Sequence, residues 1–104
     1  MADTLERFIY FLRARRLQML TEGPTADEAR VLAEHANYLK RLAEEGVVML
    51  AGRTSNRDET TVGIVIVNAA DEAAARAVME SDPFVKNAVM NATLFPFNVA
   101  FQAR

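Results

Sequence analysis

The chain of 104 residues holds one histidine and no cysteine, so proton transfer near neutral pH has a single obvious carrier, His35. Imidazole in a free peptide titrates near pH 6.5. Given a cavity and a partner that sets its tautomer, such a ring can shuttle protons. His35 sits centrally on an apolar helical stripe, so its ring is expected to point inward. Two readings are open: a core histidine satisfied by one or two hydrogen bonds, or a general acid–base. Asp82 is the natural partner. It falls at the end of a helical segment, where the macrodipole disfavours an anion by ~0.3–1 kcal/mol, and Pro83 fixes it in an extended conformation. Asp-Pro is also an ordinary helix stop, but a cation such as protonated His35 nearby would better explain the charge.

Arginine forks bind carboxylates in bidentate fashion. Arg13, Arg15 and Arg16 cluster after the first apolar run, and Arg53 and Arg57 lie in a later polar loop. Arg53, Arg15 and Arg16 are candidates to hold an anionic small molecule, whereas Arg57 and most of the cluster read as solvated surface. Tyr38, one turn beyond His35, is a candidate donor to a developing oxyanion, although a tyrosine on such a stripe also serves as packing. Tyr10 reads as core. No dinucleotide fingerprint, phosphate loop or nucleophile elbow is present. One histidine without cysteine leaves no zinc or non-haem iron site built on several imidazoles or on thiolates, and no cofactor is expected.

These residues must be positioned by a small set of elements. Thr4–Leu12 reads as a first strand, with Phe8-Ile9-Tyr10-Phe11-Leu12 apolar on both faces. Arg13–Thr21 is polar and basic, and Gly23-Pro24 breaks the chain. Thr25 and Glu28 form a capping box for a helix carrying Val31, Leu32, His35, Tyr38, Leu39 and Leu42 on one stripe. Gly46 ends it in the left-handed conformation. Val47–Ala51 and Thr61–Val67 read as strands across a polar loop, Gly52–Thr60, that is long for a hairpin. Asp71 caps a second, alanine-rich helix reaching Glu80, with Ala74, Ala77 and Val78 inward. A last strand spans Ala88–Phe101 with Phe95, Phe97, Val99 and Phe101 on one face, and Pro96 confines it to an edge or a bulge.

The order β-α-β-β-α-β predicts an α+β ferredoxin-like sandwich with a four-stranded antiparallel sheet in one domain, residues 1–104. Two helices cover one face of such a sheet. Because Phe8–Leu12 and Ile64–Val67 are apolar on both faces, a second copy of the chain is expected to cover the other, giving a homodimer through the sheet face.

A net charge of −2 provides no basic footprint for nucleic acid. No segment approaches the ~20 apolar residues of a membrane span. Met1–Glu6 is acidic and lacks the pattern of a secretion signal, so a cytoplasmic location is expected.

The stretches EHANYLKRLAEEGVVMLAGRT (Glu34–Thr54), ADEAAARAVMESDPFV (Ala70–Val85) and LFPF (Leu94–Phe97) resemble the YCII-related domain family, with the likeness running from Phe8 to Phe101. Its specific parts are the mid-helix His35, Ala51-Gly52, and Asp82-Pro83-Phe84. The resemblance implies a dimeric α+β barrel with a pocket between helices and sheet, and an active site whose motif histidine and aspartate fall on His35 and Asp82. Relatives in this family resemble muconolactone isomerases, and one branch includes a dehydrochlorinase using a His/Asp pair. Arg53 stands where the family commonly has proline, which would mark a subgroup with a different ligand.

Three functions compete on this basis. The first is a lyase- or isomerase-type enzyme acting on a carboxylated or lactone-like metabolite, with His35 and Asp82 catalytic. The second is a non-catalytic dimeric module holding a ligand in the same pocket. The third is a structural dimer with a filled core. A cavity reaching His35 separates the first two from the third.

Overall fold

A computed structural model describes residues 5–103. The central strand, β1 (Glu6–Ala14), takes its place from composition: Phe8, Tyr10 and Leu12 are buried on one face, and Ile9 is buried on the other. Side chains alternate across a strand, so one run supplies apolar groups to both sides. β1 pairs antiparallel with β3 (Gly63–Ala69) on one side and β4 (Met90–Pro96) on the other, and β2 (Val48–Arg53) pairs antiparallel with β3. The resulting order β2-β3-β1-β4 is the expected ferredoxin-like sheet. Its two edges are open, and one chain does not close a barrel.

The long helix α2 (Ala26–Glu44) begins as its sequence requires. The Thr25 side chain accepts from Glu28 N–H, and the Glu28 carboxylate accepts from Thr25 N–H. Gly46 follows its end at φ +81°, the conformation glycine tolerates best. Asp71 caps α3 (Glu72–Ser81) through Ala74 N–H. Both helices pack on the face carrying Phe8, Tyr10, Leu12, Val65 and Val67, where the core lies. Among the described residues no helix is long and apolar enough to cross a membrane.

Several boundaries differ from the sequence reading. Thr4, the expected start of β1, lies outside the described residues. β1 runs on to Ala14, because pairing with Met90–Asn91 continues past the apolar stretch. The polar segment after it contains a short helix, α1 (Gln18–Thr21), which buries Met19. β2 and β3 end and begin two residues later than expected. The inward residues of α3 are Ala75 and Met79, with Val78 half-buried, while Ala74 and Ala77 are exposed. An alanine-rich helix carries little contrast with which to phase a face, and the larger Met79 decides it. Pro83 does not merely stop α3. It opens another short helix, α4 (Pro83–Lys86), at the first-turn position where a missing N–H costs nothing. β4 ends at Pro96 rather than Phe101, so of the four aromatic or branched residues expected on one strand face only Phe95 lies in the strand.

The sheet face opposite the helices is not covered by the chain. Register brings Ile9 beside Ile66 and Phe95, Phe11 beside Ile64, and Leu50 beside Ile66. Phe11 and Phe95 meet edge to face at 5.9 Å. Leu50 is 57% exposed and Phe95 48%.

Candidate active site

His35 lies one helical turn after the fully buried Val31, so its ring points from α2 toward the junction of α3 and α4. Its side chain is 13% exposed and stacks on Phe84 of α4, with ring centroids 4.0 Å apart and planes at 28°. Its Nδ1 is 2.7 Å from Oδ1 of Asp82. Asp82, between α3 and α4, is completely buried. Its extended backbone lets the same Oδ1 accept from Phe84 N–H at 2.9 Å, capping α4. Oδ2 accepts from the Tyr10 hydroxyl at 2.7 Å.

The carboxylate thus has a donor on every side, which accounts for its complete burial. As an acceptor among donors it requires Nδ1 of His35 to carry a proton. The neutral ring then presents Nε2 as a lone pair. Nε2 has no partner among the described residues and is not sealed from solvent.

Burial and the adjacent Asp82 carboxylate push the Tyr10 hydroxyl far above the ordinary phenol range, so it serves as a donor throughout the physiological range. Tyr38 is also pushed up, chiefly by burial, then by Asp82, against an opposing effect of Arg41.

His35 lines a cavity of about 470 Å³, within the usual range for small-molecule sites. Leu32 and Leu39, on one flank of the helical stripe, form a wall with Met19 and Leu20 of α1. Phe84, Met90, Leu12 and Val65 line it as well. Leu32 is 47% exposed because this wall opens to solvent. Such a cavity is incompatible with a filled core.

The anion-binding candidates divide. Arg53 lines the cavity, and so does Arg57, which its sequence context had assigned to solvent. Arg15 does not line it. Arg16 is occupied elsewhere: its Nε and Nη2 grip the Glu28 carboxylate at 2.9 and 2.7 Å and tie the lead into α1 to the start of α2. That contact holds Glu28 down to about pKa 2. Tyr38 does not line the cavity, and its hydroxyl donates to Val78 O at 2.7 Å, so it is not free to meet an oxyanion. Three neighbours of the site were not singled out from the sequence. Tyr10 looked like core, although a buried hydroxyl always needs a partner. Phe84 stood in the Asp-Pro-Phe motif without an assigned role, and Met19 lay in a segment read only as polar and basic. Among the described residues no three His, Cys, Asp or Glu side chains gather as a metal site would require.

Solved structures with the same fold include 5-chloro-2-hydroxyhydroquinone dehydrochlorinase from Burkholderia phenoliruptrix AC1100 in complex with 2,5-dihydroxybenzoquinone. It is 18% identical, with a TM-score of 0.62 over 88% of this chain and 93% of that one. An uncharacterised protein from Thermotoga maritima aligns over 91% of this chain and all of its own (100%) at 11% identity and TM-score 0.58. A cofactor-independent oxygenase from Streptomyces nogalater aligns over 97% of each chain at 17% identity and TM-score 0.50. No curated protein sequence matches significantly. The family model of the YCII-related domain matches residues 10–98, a span that includes Tyr10, His35, Arg53, Arg57 and Asp82. The chain belongs to the YCII-related domain family.

Proposed function

We propose that the protein is a small-molecule enzyme of lyase or isomerase type in which His35 moves a proton at the substrate and Asp82 positions the imidazole. In this reaction Nε2 takes a proton from a carbon beside a carbonyl, or from an enolic or phenolic hydroxyl, and the bonding pair stays on the substrate as an enolate or phenolate. That anion then either expels a leaving group such as halide with its own bonding pair, or recovers the proton from His35 at another carbon. The imidazolium formed in between is held through Nδ1–H by Asp82, which Tyr10 and Phe84 N–H hold in turn. Proton transfer of this kind contributes roughly 10²–10⁴-fold. The apolar lining lowers the local dielectric and strengthens each charge interaction. Arg53 is the group for a substrate carboxylate or acidic hydroxyl. Halide loss from a hydroxylated ring is the chemistry named for the dehydrochlorinase of the same fold.

The observation that carries this reading is the 2.7 Å His35–Asp82 contact on the wall of the cavity. The test is turnover of lactones, halogenated muconates and chlorinated hydroxyquinones by the wild type, His35→Ala and Asp82→Asn. The expected loss in kcat/KM for His35→Ala is ~10²–10⁴-fold. Turnover that survives both substitutions would sink the assignment.

The same proposal includes a homodimer assembled through the open sheet face. Its support is the contiguous apolar set Leu50, Ile66, Ile9, Phe11 and Phe95, a patch of the kind that soluble chains seldom leave bare.

A further inference from the structure

We infer that Arg53 and Arg57 form a two-point clamp at the cavity that selects ligands with an apolar body and an anionic end, Arg57 being a specificity residue. The inference rests on the ligand site proposed above and names the class of molecule it takes.

Four arginines elsewhere in the molecule are matched with carboxylates. Arg16 pairs with Glu28, Arg30 with Asp27 and Glu34, Arg41 with Glu45, and Arg76 with Glu72. Arg53 and Arg57 form no ion pair among the described residues. Among the described residues the only side-chain hydrogen bond of Arg53 is a long one, 3.5 Å, to Thr54 O. Arg7, Arg13 and Arg15 are likewise unmatched among the described residues, but none of them lines the cavity. The two arginines at the cavity are therefore also without an ion pair among the described residues, in a chain whose net charge is negative.

The segment that carries Arg57 is built, not loose. Thr54 N–H donates to Val62 O, and Val62 N–H donates to the Thr54 hydroxyl. The Thr61 hydroxyl donates to Asn56 O and accepts from Asp58 N–H. Asp58, the carboxylate nearest to Arg57 in sequence, turns Oδ1 into this turn, where it accepts from Thr60 N–H and Asn56 Nδ2. It forms no ion pair with Arg57. Arg53 stands four residues earlier, at the end of β2, where its partner in register is Gly63. Two arginines, one at the end of β2 and one in the loop that follows it, thus line a cavity together with Leu32, Leu39, Met19, Leu20, Phe84 and Met90. Forked donors recognise a carboxylate or a similar planar anion, and the walls recognise a ring or chain of hydrocarbon.

The test is calorimetric titration of the full chain with 2-naphthoate and with its neutral isostere, 2-naphthamide. The acid is expected to bind at least about tenfold more tightly, the scale of a charge-assisted hydrogen bond. Arg53→Gln and Arg57→Gln should each reduce that preference, and the double variant should abolish it with the amide's affinity unchanged. Arg76→Gln, on the exposed face of α3 and away from the cavity, should keep it. Equal affinities, no saturable binding of either probe, or a preference that survives the double variant would overturn the clamp. Because the readout is binding, a clamp that holds in a chain without turnover leaves this inference standing while the acid–base reading fails.

Discussion

The Tyr10 hydroxyl donates a 2.7 Å hydrogen bond to Oδ2 of Asp82, joining the central strand to a helix junction 72 positions later. Both groups are completely buried, so neither can exchange this partner for water. Removing the hydroxyl leaves a carboxylate oxygen desolvated and short of a donor. Tyr10→Phe should therefore destabilise the fold by about 1–3 kcal/mol, read as a lower urea midpoint at unchanged slope. A stability indistinguishable from the wild type would contradict the role given to this bond.

Alkaline pH should act through the same group. In the unfolded chain Tyr10 loses its proton near pH 10, whereas in the fold it is held well above that by burial and by Asp82. Above pH 10 the folded state binds more protons than the unfolded one, so stability falls as pH rises. Urea midpoints followed from pH 9 upward should drop more steeply for the wild type than for Tyr10→Phe. A shallower slope remains in the variant from Tyr38, which is also shifted upward. Parallel curves would refute the assignment.

Acid should act through Glu28. Its folded pKa lies near 2, below its ordinary value, because Arg16 and Thr25 N–H donate to the carboxylate. A lowered carboxylate adds stability above its unfolded pKa, about 4.3, that disappears as pH falls toward 2. Thermal midpoints of the wild type should decline through this window, and Arg16→Met should flatten that part of the decline. Because the pair is screened by solvent, added salt should shrink the difference.

Phe95→Glu tests the open sheet face. This residue is half exposed at an edge strand, so the charge is tolerated by a lone chain but not by an apolar contact with a second one. Equilibrium sedimentation should give a dimer for the wild type and a monomer with unchanged circular dichroism for the variant. A monomeric wild type would remove the dimer from the proposed function.

What the sequence made legible follows physical contrast. Phe8–Leu12 is apolar at successive positions, and it became the central strand. Thr25 and Glu28 carry a reciprocal cap in their types and spacing, and both bonds form. Gly46 marked a helix end for which only glycine is at ease. Where contrast fails, so does the reading. Ala74–Ala77 gave no phase to α3, and the basic segment before Gly23 hid α1 because one buried methionine is a weak signal. Tyr10 and Arg57 show the deeper limit. Each had an ordinary local reading, strand core in one case and solvated loop in the other. Their importance arises from neighbours brought in by tertiary structure: Asp82 against the first, and the cavity beside the second. Arg16 shows the reverse, a candidate ligand group that a nearer carboxylate had already claimed.

Strand alternation in β1 gives its register a second meaning. Phe8, Tyr10 and Leu12 face the helices, and Ile9 and Phe11 face away. A slip by one residue would exchange the two sets. Hydrocarbon would then lie where the Asp82 carboxylate needs a donor, and the Tyr10 phenol would be stranded on the far side. An insertion or deletion within this strand would thus disarm the imidazole without touching any residue beside it.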